Sequence, residues 1–505
     1  MSAPRPASAP QEEAPAPGGL ESALLLAAGA SAALVIGATA YAAWVRPGFD
    51  HATGSWFVLA YGMLRGELYR PVLGPSGFGG TRWLPLFPAC LAVLKWQGLG
   101  YIQAAWWINV ASLAAIVLAV RNILRAEGTD ARVAGVFAVL SVCSVGAMMT
   151  LRAFRGDILP VALSVWGVHL AMRAAAGRDR PAVAAAAALL FVAAVTAKST
   201  AVFWPLAVFV SYVLNRRMRL AFVLAGTAGA ALVVVLLGIQ WASDGRFFSV
   251  LASTSAAGGS LRRAVQGPLF LDQILRGSDP LGLLAVAASV LILASGGRRA
   301  VTSIPGCLFL SMVAMSALIF GSPGTIENHL VDLSVAAMAL WGIGWSRLRI
   351  PRAVPAAALL LYSLTMFLPV RFYWQSTESF FRTLAVEHLK SLPGTVLSEH
   401  PGLAILAGKH PYVLDTFMLR VLRQTRPEVE DALKTAIEGR EYDTVVLSNL
   451  DKEFGIPVWY EEVHFGPGFL QMLRANYFLE RQIGGFAFFQ PKAGRPAPEL
   501  PEERP

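Results

Sequence analysis

The sequence predicts an all-α polytopic membrane protein that carries a small α/β domain after its last span. Three observations predict it. Of 505 residues, 55% are hydrophobic and only 15% charged, whereas soluble domains carry roughly 25% charged residues. Apolar runs long enough to cross a bilayer recur through the first 370 residues. From about residue 371 charges rise and turn residues interrupt the apolar runs.

Taken in order, the first 19 residues, MSAPRPASAPQEEAPAPGG, are rich in Pro, Ala and Gly and read as a disordered tail. The apolar stretch after them is long and its lead weakly charged, so it reads as a retained first span and not as a cleavable signal peptide. Eleven spans are expected, at 20–44, 104–121, 133–150, 158–172, 182–197, 199–214, 220–241, 280–295, 301–320, 330–346 and 353–370. The segment LPLFPACLAVLKWQGLG, 84–100, is apolar but short, with Lys95 and two prolines. It is expected to be re-entrant or to lie in the interface.

Loop charge supports that choice. With the N-terminus in the cytoplasm and 84–100 not spanning, five basic clusters share the cytoplasmic side: Arg121/Arg125/Arg132, Arg173/Arg178/Arg180, Arg216/Arg217/Arg219, Arg298/Arg299 and Arg347/Arg349/Arg352. Making 84–100 a span would throw all five outward. The membrane part is thus expected over 20–370, with a first outer loop at 45–103. The outer α/β domain is expected over 371–490 and a loose tail over 491–505.

Within 371–490, GTVLSEH (394–400) and YDTVVLSN (442–449) read as strands, VLDTFMLRVLRQ (413–424) and PEVEDALKTAIEGR (427–440) as helices, and YFLERQIGGFAFFQP (477–491) as a closing hairpin. This stretch shows no GxGxxG or catalytic-triad pattern, so acceptor recognition or packing on the outer face is what it supports. The formal net charge of +10 is carried by short-loop arginines that orient spans, so nucleic acid is not an expected partner. Cys90, Cys143 and Cys307 sit in apolar surroundings without CxxC or a metal-binding His spacing. They read as buried free thiols.

The ionisable residues that matter gather at the outer face: Asp50, His51, Arg82, Arg152, Arg155, Asp157, Lys198, Glu327 and His329. An acid at a membrane edge costs free energy unless it is hydrated, paired or used. Asp50 follows the first span, where it either serves chemistry or caps the helix starting near Ala52. His51 titrates near neutrality when unperturbed, but adjacent helical residues do not face one another. Lys198 stands in the turn TAKST with no acidic neighbour in sequence, so it either snorkels to water or binds an anion. Glu327 and His329 line a cavity or cap the tenth span. GPSGFGG (74–80) lacks the strand-then-helix setting of a phosphate loop and reads as flexible. The loop 243–279, with Ser, Ala and Gly runs, reads as a mobile cover.

Asp50, Ala60, Gly66, Tyr69 and the element RWLPLFP (Arg82 to Pro88) together resemble the membrane glycosyltransferases of the C-type superfamily (GT-C). That superfamily includes the bacterial aminoarabinose transferases and protein O-mannosyltransferases. The paired prolines of the family's element are replaced here by Leu84-Pro85. RAFRGDILPVALSVWGVHLAMRAA (152–175) is similar to the family's second acidic region. AALLFVAAVTAKSTAVFWPLAVFVSYVLNRRMR (187–219) is similar to its paired spans with a lysine at their outer turn.

The resemblance implies inverting transfer of a sugar from a polyprenyl-phosphate donor to a lipid, glycan or protein acceptor at the outer face of a bacterial inner membrane. Asp50 is then the expected general base, with Asp157 as second catalytic acid. Lys198, Arg155, Arg82 and Arg152 are the expected donor-phosphate ligands. Tyr69, His51, Glu327 and His329 are expected in the substrate cavity. No cofactor is required by this reading. A divalent metal, where one is used, would fall to Asp50 and Asp157. A transporter or flippase of lipid-linked saccharides, with the same residues lining a pathway, is the alternative. It lacks the internal repeat such folds often show.

Overall fold

The computed structural model describes residues 19–255, 261–322, 325–347, 350–448 and 458–493. The two expected tails fall almost wholly outside these residues, as do 323–324 of the turn before the tenth span.

Helix α1 (Gly19–Val45) is the first span. The long loop after it holds α2 (His51–Met63), a minimal hairpin of β1 (Leu73–Gly74) and β2 (Gly77–Phe78), and α3 (Leu86–Trp96). The 11 residues of α3 rise only about 16 Å, about half of a ~30 Å hydrocarbon core, as its non-spanning reading requires. The bundle continues with α4 (Tyr101–Ala126), α5 (Ala131–Leu140), α6 (Val145–Ala153), α7 (Ile158–Ala175), α8 (Pro181–Ala197), α9 (Phe203–Leu214) and α10 (Met218–Ala242). Two further helices, α11 (Arg246–Ser255) and α12 (Leu261–Gly277), occupy the loop expected to be a mobile cover. Helix α12 packs hard on the helix that ends at Ile319: a Cβ on Gly267 would lie 1.7 Å from the Ala317 carbonyl oxygen. The bundle closes with α13 (Pro280–Thr302), α14 (Ile304–Ile319), α15 (Val331–Gly344) and α16 (Ala353–Thr365).

Among the described residues, six helical runs, at α1, α4, α7, α10, α13 and Ala353–Ser391, are long and apolar enough to cross a membrane. The α5/α6 pair, bent by 57°, makes a seventh. The other four expected spans are α8, α9 with the 3-10 turn before it, α14 and α15, of 17, 16, 16 and 14 residues. Two of them are bounded by polar groups of the site. Lys198 leaves helical geometry at the end of α8 (φ −154°, ψ 122°), and a 3-10 turn over Glu327–Leu330 precedes α15.

Contacts separate the two ends of the bundle. At one end Trp345 Nε1 donates to Glu21 (3.1 Å), Ser211 Oγ to the Thr302 carbonyl (2.8 Å), and Arg217 pairs with Asp179. At the other, Arg155 meets Asp50, Lys198 meets Asp157, and Ser278 donates to Glu327 (2.8 Å). Alanines and glycines let neighbouring helices of the bundle come close. A Cβ on Gly167 of α7 would lie 2.7 Å from the Phe191 ring of α8, the close approach by which membrane helices gain dispersion contact.

The C-terminal α/β part begins with α17 (Phe367–Gln375) and α18 (Glu378–Ser391). It then builds a four-stranded sheet in the order β3 (Val396–Ser398), β4 (Thr444–Leu447), β6 (Phe486–Pro491), β5 (Tyr477–Ile483). Strands β3 and β4 are parallel because α19 (Pro401–Leu406), α20 (Thr416–Thr425) and α21 (Glu428–Gly439) form the crossover between them. A π-helical turn, Val458–His464, and α22 (Phe469–Asn476) precede the hairpin.

Glycines lock this part onto the first loop. Gly54 of α2 and Gly402 of α19 touch backbone to backbone: a Cβ on Gly54 would sit 2.6 Å from Gly402 N. The segment GPSGFGG, expected to be flexible, is paired instead. Phe78 N donates to the Tyr412 carbonyl (2.6 Å) and Leu414 N to the Phe78 carbonyl (3.1 Å). Gly77 adopts φ +130°, and a Cβ there would stand 2.1 Å from Tyr412 O. Gly77→Ala should therefore cost about 2 kcal/mol and detach this edge. Thermal unfolding of the purified protein should show a lower midpoint, with faster proteolysis between β2 and α3.

Candidate active site

Asp50 is the N-cap of α2 as well as a charged partner. Its Oδ1 accepts from Thr53 N (3.0 Å), and the Thr53 hydroxyl lies between that oxygen and the Ala153 carbonyl. Its Oδ2 takes both Nε (3.0 Å) and a terminal nitrogen (2.5 Å) of Arg155. Arg155 follows Phe154, whose left-handed backbone (φ 57°) ends α6 and turns the chain toward α7. Burial alone would push the Asp50 carboxyl up. The Arg155 guanidinium, His51 and the Thr53 N–H outweigh it and hold the group well below the usual carboxylate range. The Asp50 side chain keeps 22% of its surface exposed, against 9% for Arg155.

Behind this pair lies a second one. Lys198 Nζ meets Asp157 Oδ1 at 2.6 Å, with side chains 10% and 2% exposed. The fold supplies the acidic neighbour that the local sequence lacks. Asn328 donates to Asp157 Oδ2 (3.0 Å), and His329 Nδ1 lies 3.3 Å from Lys198 Nζ. Two membrane helices and the turn before α15 are thus tied at one point.

Two cavities open beside these pairs. The larger, about 720 Å³, is lined by Asp50, His51, Arg382, His400, Trp459 and His464 among others. The smaller, about 370 Å³, is lined by Trp56, Arg82, Trp83, Arg155, Asn328, His329, Asp415 and Arg420, among others. His51, Trp459 and His464 belong to both and form the wall between them. The Asp50–Arg155 pair therefore has its carboxylate on one cavity and its guanidinium on the other. In the smaller cavity Arg82 lies over Trp83 (5.4 Å) and Phe417 (5.5 Å), and Arg420 lies over Phe417 (4.5 Å). Trp56 Nε1, Trp83 Nε1 and one terminal nitrogen of Arg420 are buried there without a hydrogen-bond partner among the described residues.

Other expected site residues stand further back. Tyr69 is buried with φ 54°. Its hydroxyl donates to the Trp83 carbonyl (2.8 Å) and its ring packs on Phe247 (5.1 Å), so it braces the cavity wall from behind. Arg152 lies flat on Tyr373 (3.9 Å) against the backbone of Gly48, where a Cβ would come within 2.8 Å of its Nε. Glu327 accepts from Ser278 and lines neither cavity. The residues the sequence reading missed are on the C-terminal part: Glu378, Arg382, Glu399, His400, Asp415, Arg420, Trp459 and His464. Their signal was weak, since each lies in a stretch of ordinary soluble composition.

Compared with solved structures, the chain superposes on ArnT from Cupriavidus metallidurans bound to undecaprenyl phosphate, with TM-score 0.59 and 12% identity, over 92% of this chain and 97% of that one. The chain has a GT-C fold. An oligosaccharyltransferase from Archaeoglobus fulgidus in complex with Zn and sulfate matches this chain at TM-score 0.52 and 11% identity, over 92% and 72% of the two chains. Arabinofuranosyltransferase AftD from Mycobacteria matches at 0.53 and 12%, over 92% of this chain and 40% of that larger one. No protein-family model matches the sequence, and no curated protein does.

The two carboxylates that a divalent ion would need do not fit one as they stand. Asp50 and Asp157 are each held by a cation of the chain, and no group of three His, Cys, Asp or Glu side chains among the described residues is placed to hold a metal.

Breaking the inner pair from one side leaves a buried charge. Lys198→Met should destabilise the protein by about 3–5 kcal/mol, read as a large fall in thermal midpoint. The double variant Lys198→Met/Asp157→Asn should recover most of that loss.

Proposed function

We propose that the chain transfers a sugar from a polyprenyl-phosphate donor to an acceptor hydroxyl or amine at the outer, periplasmic face of a bacterial inner membrane, inverting the anomeric centre. One observation carries this reading. A carboxylate and a guanidinium in contact present themselves to two adjoining cavities, one for each half of a glycosyl transfer. The GT-C fold supports it, as does the relation to ArnT, which was captured with undecaprenyl phosphate.

The donor phosphate occupies the smaller cavity, where Arg82, Arg155 and Arg420 meet it with fork-shaped donors. The acceptor enters the larger one. Its oxygen or nitrogen attacks the anomeric carbon from the face opposite the phosphate. The bond from that carbon to the phosphate oxygen breaks, and the electron pair leaves with the lipid phosphate, whose charge the arginines stabilise. The proton lost by the acceptor goes to Asp50. Asp157 and Lys198 position Asn328 and His329 in the cavity wall, and Arg152 with Tyr373 braces the start of the loop at Gly48.

Asp50→Asn should lower consumption of labelled polyprenyl-phosphate sugars by the purified protein about 10²–10⁴-fold while the variant remains inserted and folded. Substantial residual turnover would remove Asp50 from the chemistry. The pH profile gives a second check. A carboxylate held low by Arg155 stays ionised, and able to take a proton, until pH falls far below neutrality. In Arg155→Met the opposing effect of burial is left uncompensated, so the carboxyl titrates higher and the acid limb of the kcat profile should move to higher pH. An unmoved acid limb would show that another group governs it.

A further inference from the structure

The larger cavity differs from the smaller one in its chemistry. Three imidazoles face it, from His51, His400 and His464. Its guanidinium, Arg382, is already paired with Glu378 (2.7 Å), whereas the smaller cavity gathers Arg82, Arg155 and Arg420. Burial drops His51 to about 4 and His400 to about 3, so neither ring is cationic at neutral pH. Among the described residues that line it, the cavity offers its occupant imidazole nitrogens, the Asp50 and Glu378 carboxylates and this one paired guanidinium.

His464 is the most strongly fixed of the three. Its Nδ1 lies 2.6 Å from Glu399 Oε1, an oxygen that also accepts from Trp459 Nε1 (2.7 Å). Glu399 Oε2 accepts from Ser448 N (2.6 Å) and Ser448 Oγ (3.0 Å). A carboxylate only accepts, so the Nδ1 of His464 carries the proton in this pair. Nε2 is the ring nitrogen left over for an occupant. That Nε2 is buried in the wall shared by both cavities and makes no hydrogen bond among the described residues. The whole arrangement comes from the C-terminal part and stands beside His51, whose ring centroid is 5.9 Å away.

We infer that the larger cavity takes a neutral, hydroxyl-rich acceptor, such as a glycan, and that the Nε2 of His464, whose ring is fixed by Glu399, shares a hydrogen bond with one of its hydroxyls. The inference rests on the glycosyl-transfer reading and adds the acceptor class to it. Asp50 takes the nucleophile's proton, while His464 holds a neighbouring hydroxyl, so the two residues separate in their kinetic effects. His464 reads the acceptor and Glu399 positions His464.

The test uses the full chain in lipid nanodiscs with a labelled polyprenyl-phosphate sugar as donor, and octyl glucoside and octyl phosphate as acceptor probes. Transfer to octyl glucoside in preference to octyl phosphate is expected. His464→Asn keeps an N–H for Glu399 but removes Nε2. It should raise KM for octyl glucoside about five- to tenfold, with a smaller effect on kcat and none on the donor KM. His464→Gln, which restores an acceptor oxygen near the Nε2 position, should recover part of the loss. Preference for octyl phosphate, or an unchanged octyl glucoside KM in His464→Asn, overturns the inference. If no donor is consumed by the wild type, the glycosyl-transfer reading fails by itself. The acceptor site is then judged by nitrogen-15 histidine spectra of the full chain. The His464 signal, identified by its loss in His464→Asn, should shift on adding methyl glucoside. No shift overturns it.

Discussion

A carboxylate that must stay ionised beside a bilayer needs a cation within reach, and the contact between Asp50 and Arg155 meets that need. The two residues are 105 positions apart, so the contact can form only if the end of α1, the start of α2 and the turn between α6 and α7 arrive together. Desolvating either group alone would cost several kcal/mol. Their mutual attraction, with the Thr53 N–H on the other oxygen, offsets it. The joint also sets the shape of the site. Because the carboxylate and the guanidinium point to different sides of the joint, the space beside them is divided into two cavities with different linings.

The same constraint recurs one layer deeper and again in the C-terminal part. Lys198 and Asp157 neutralise each other at the ends of α8 and α7, and Asn328 and His329 complete the set. Helix α8 ends at Lys198, and α15 begins after the turn that carries Asn328 and His329. Glu399 and His464, both 1% exposed at the side chain, are a third such pair. Each of these three pairs joins two elements, which makes the site end of the bundle a set of cross-links as much as a packed interface. The glycine contacts between α2 and α19, and between Gly77 and Tyr412, let the backbones approach closely enough for those cross-links to close.

Much of this was legible from local composition. Apolar runs marked the helices, arginine clusters divided the loops, and Asp50 and Lys198 stood out because ionisable residues are rare in such surroundings. The short strands and the hairpin of the C-terminal part were visible from alternation and turn residues. What could not be read was pairing. Lys198 had no acid near it in sequence, and its partner lies 41 residues earlier. Tyr69 and Glu327, chosen for position, turned inward to Trp83 and Ser278. Glu399, Asp415 and His464 were invisible for the opposite reason: a charged residue in a soluble-looking stretch carries no local surprise. GPSGFGG misled in a third way, since glycine that relieves a close backbone contact has the same composition as glycine that gives flexibility.

The shared position of Arg155 has a consequence for the order of events on the proposed reading. While its guanidinium rests on Asp50, the carboxylate is a weak base, because its charged form is favoured. A donor phosphate in the smaller cavity competes for the same guanidinium. As Arg155 turns part of its charge to the phosphate, burial acts on Asp50 with less opposition and its affinity for a proton rises. The base is thus strengthened by the arrival of the group it serves, and an acceptor that enters an enzyme without donor meets a carboxylate that is already satisfied. Such coupling needs no moving domain. It requires only that one cation lie between two anions, which is what the turn at Phe154 provides by ending α6 in the left-handed region and directing Arg155 into the gap between the cavities.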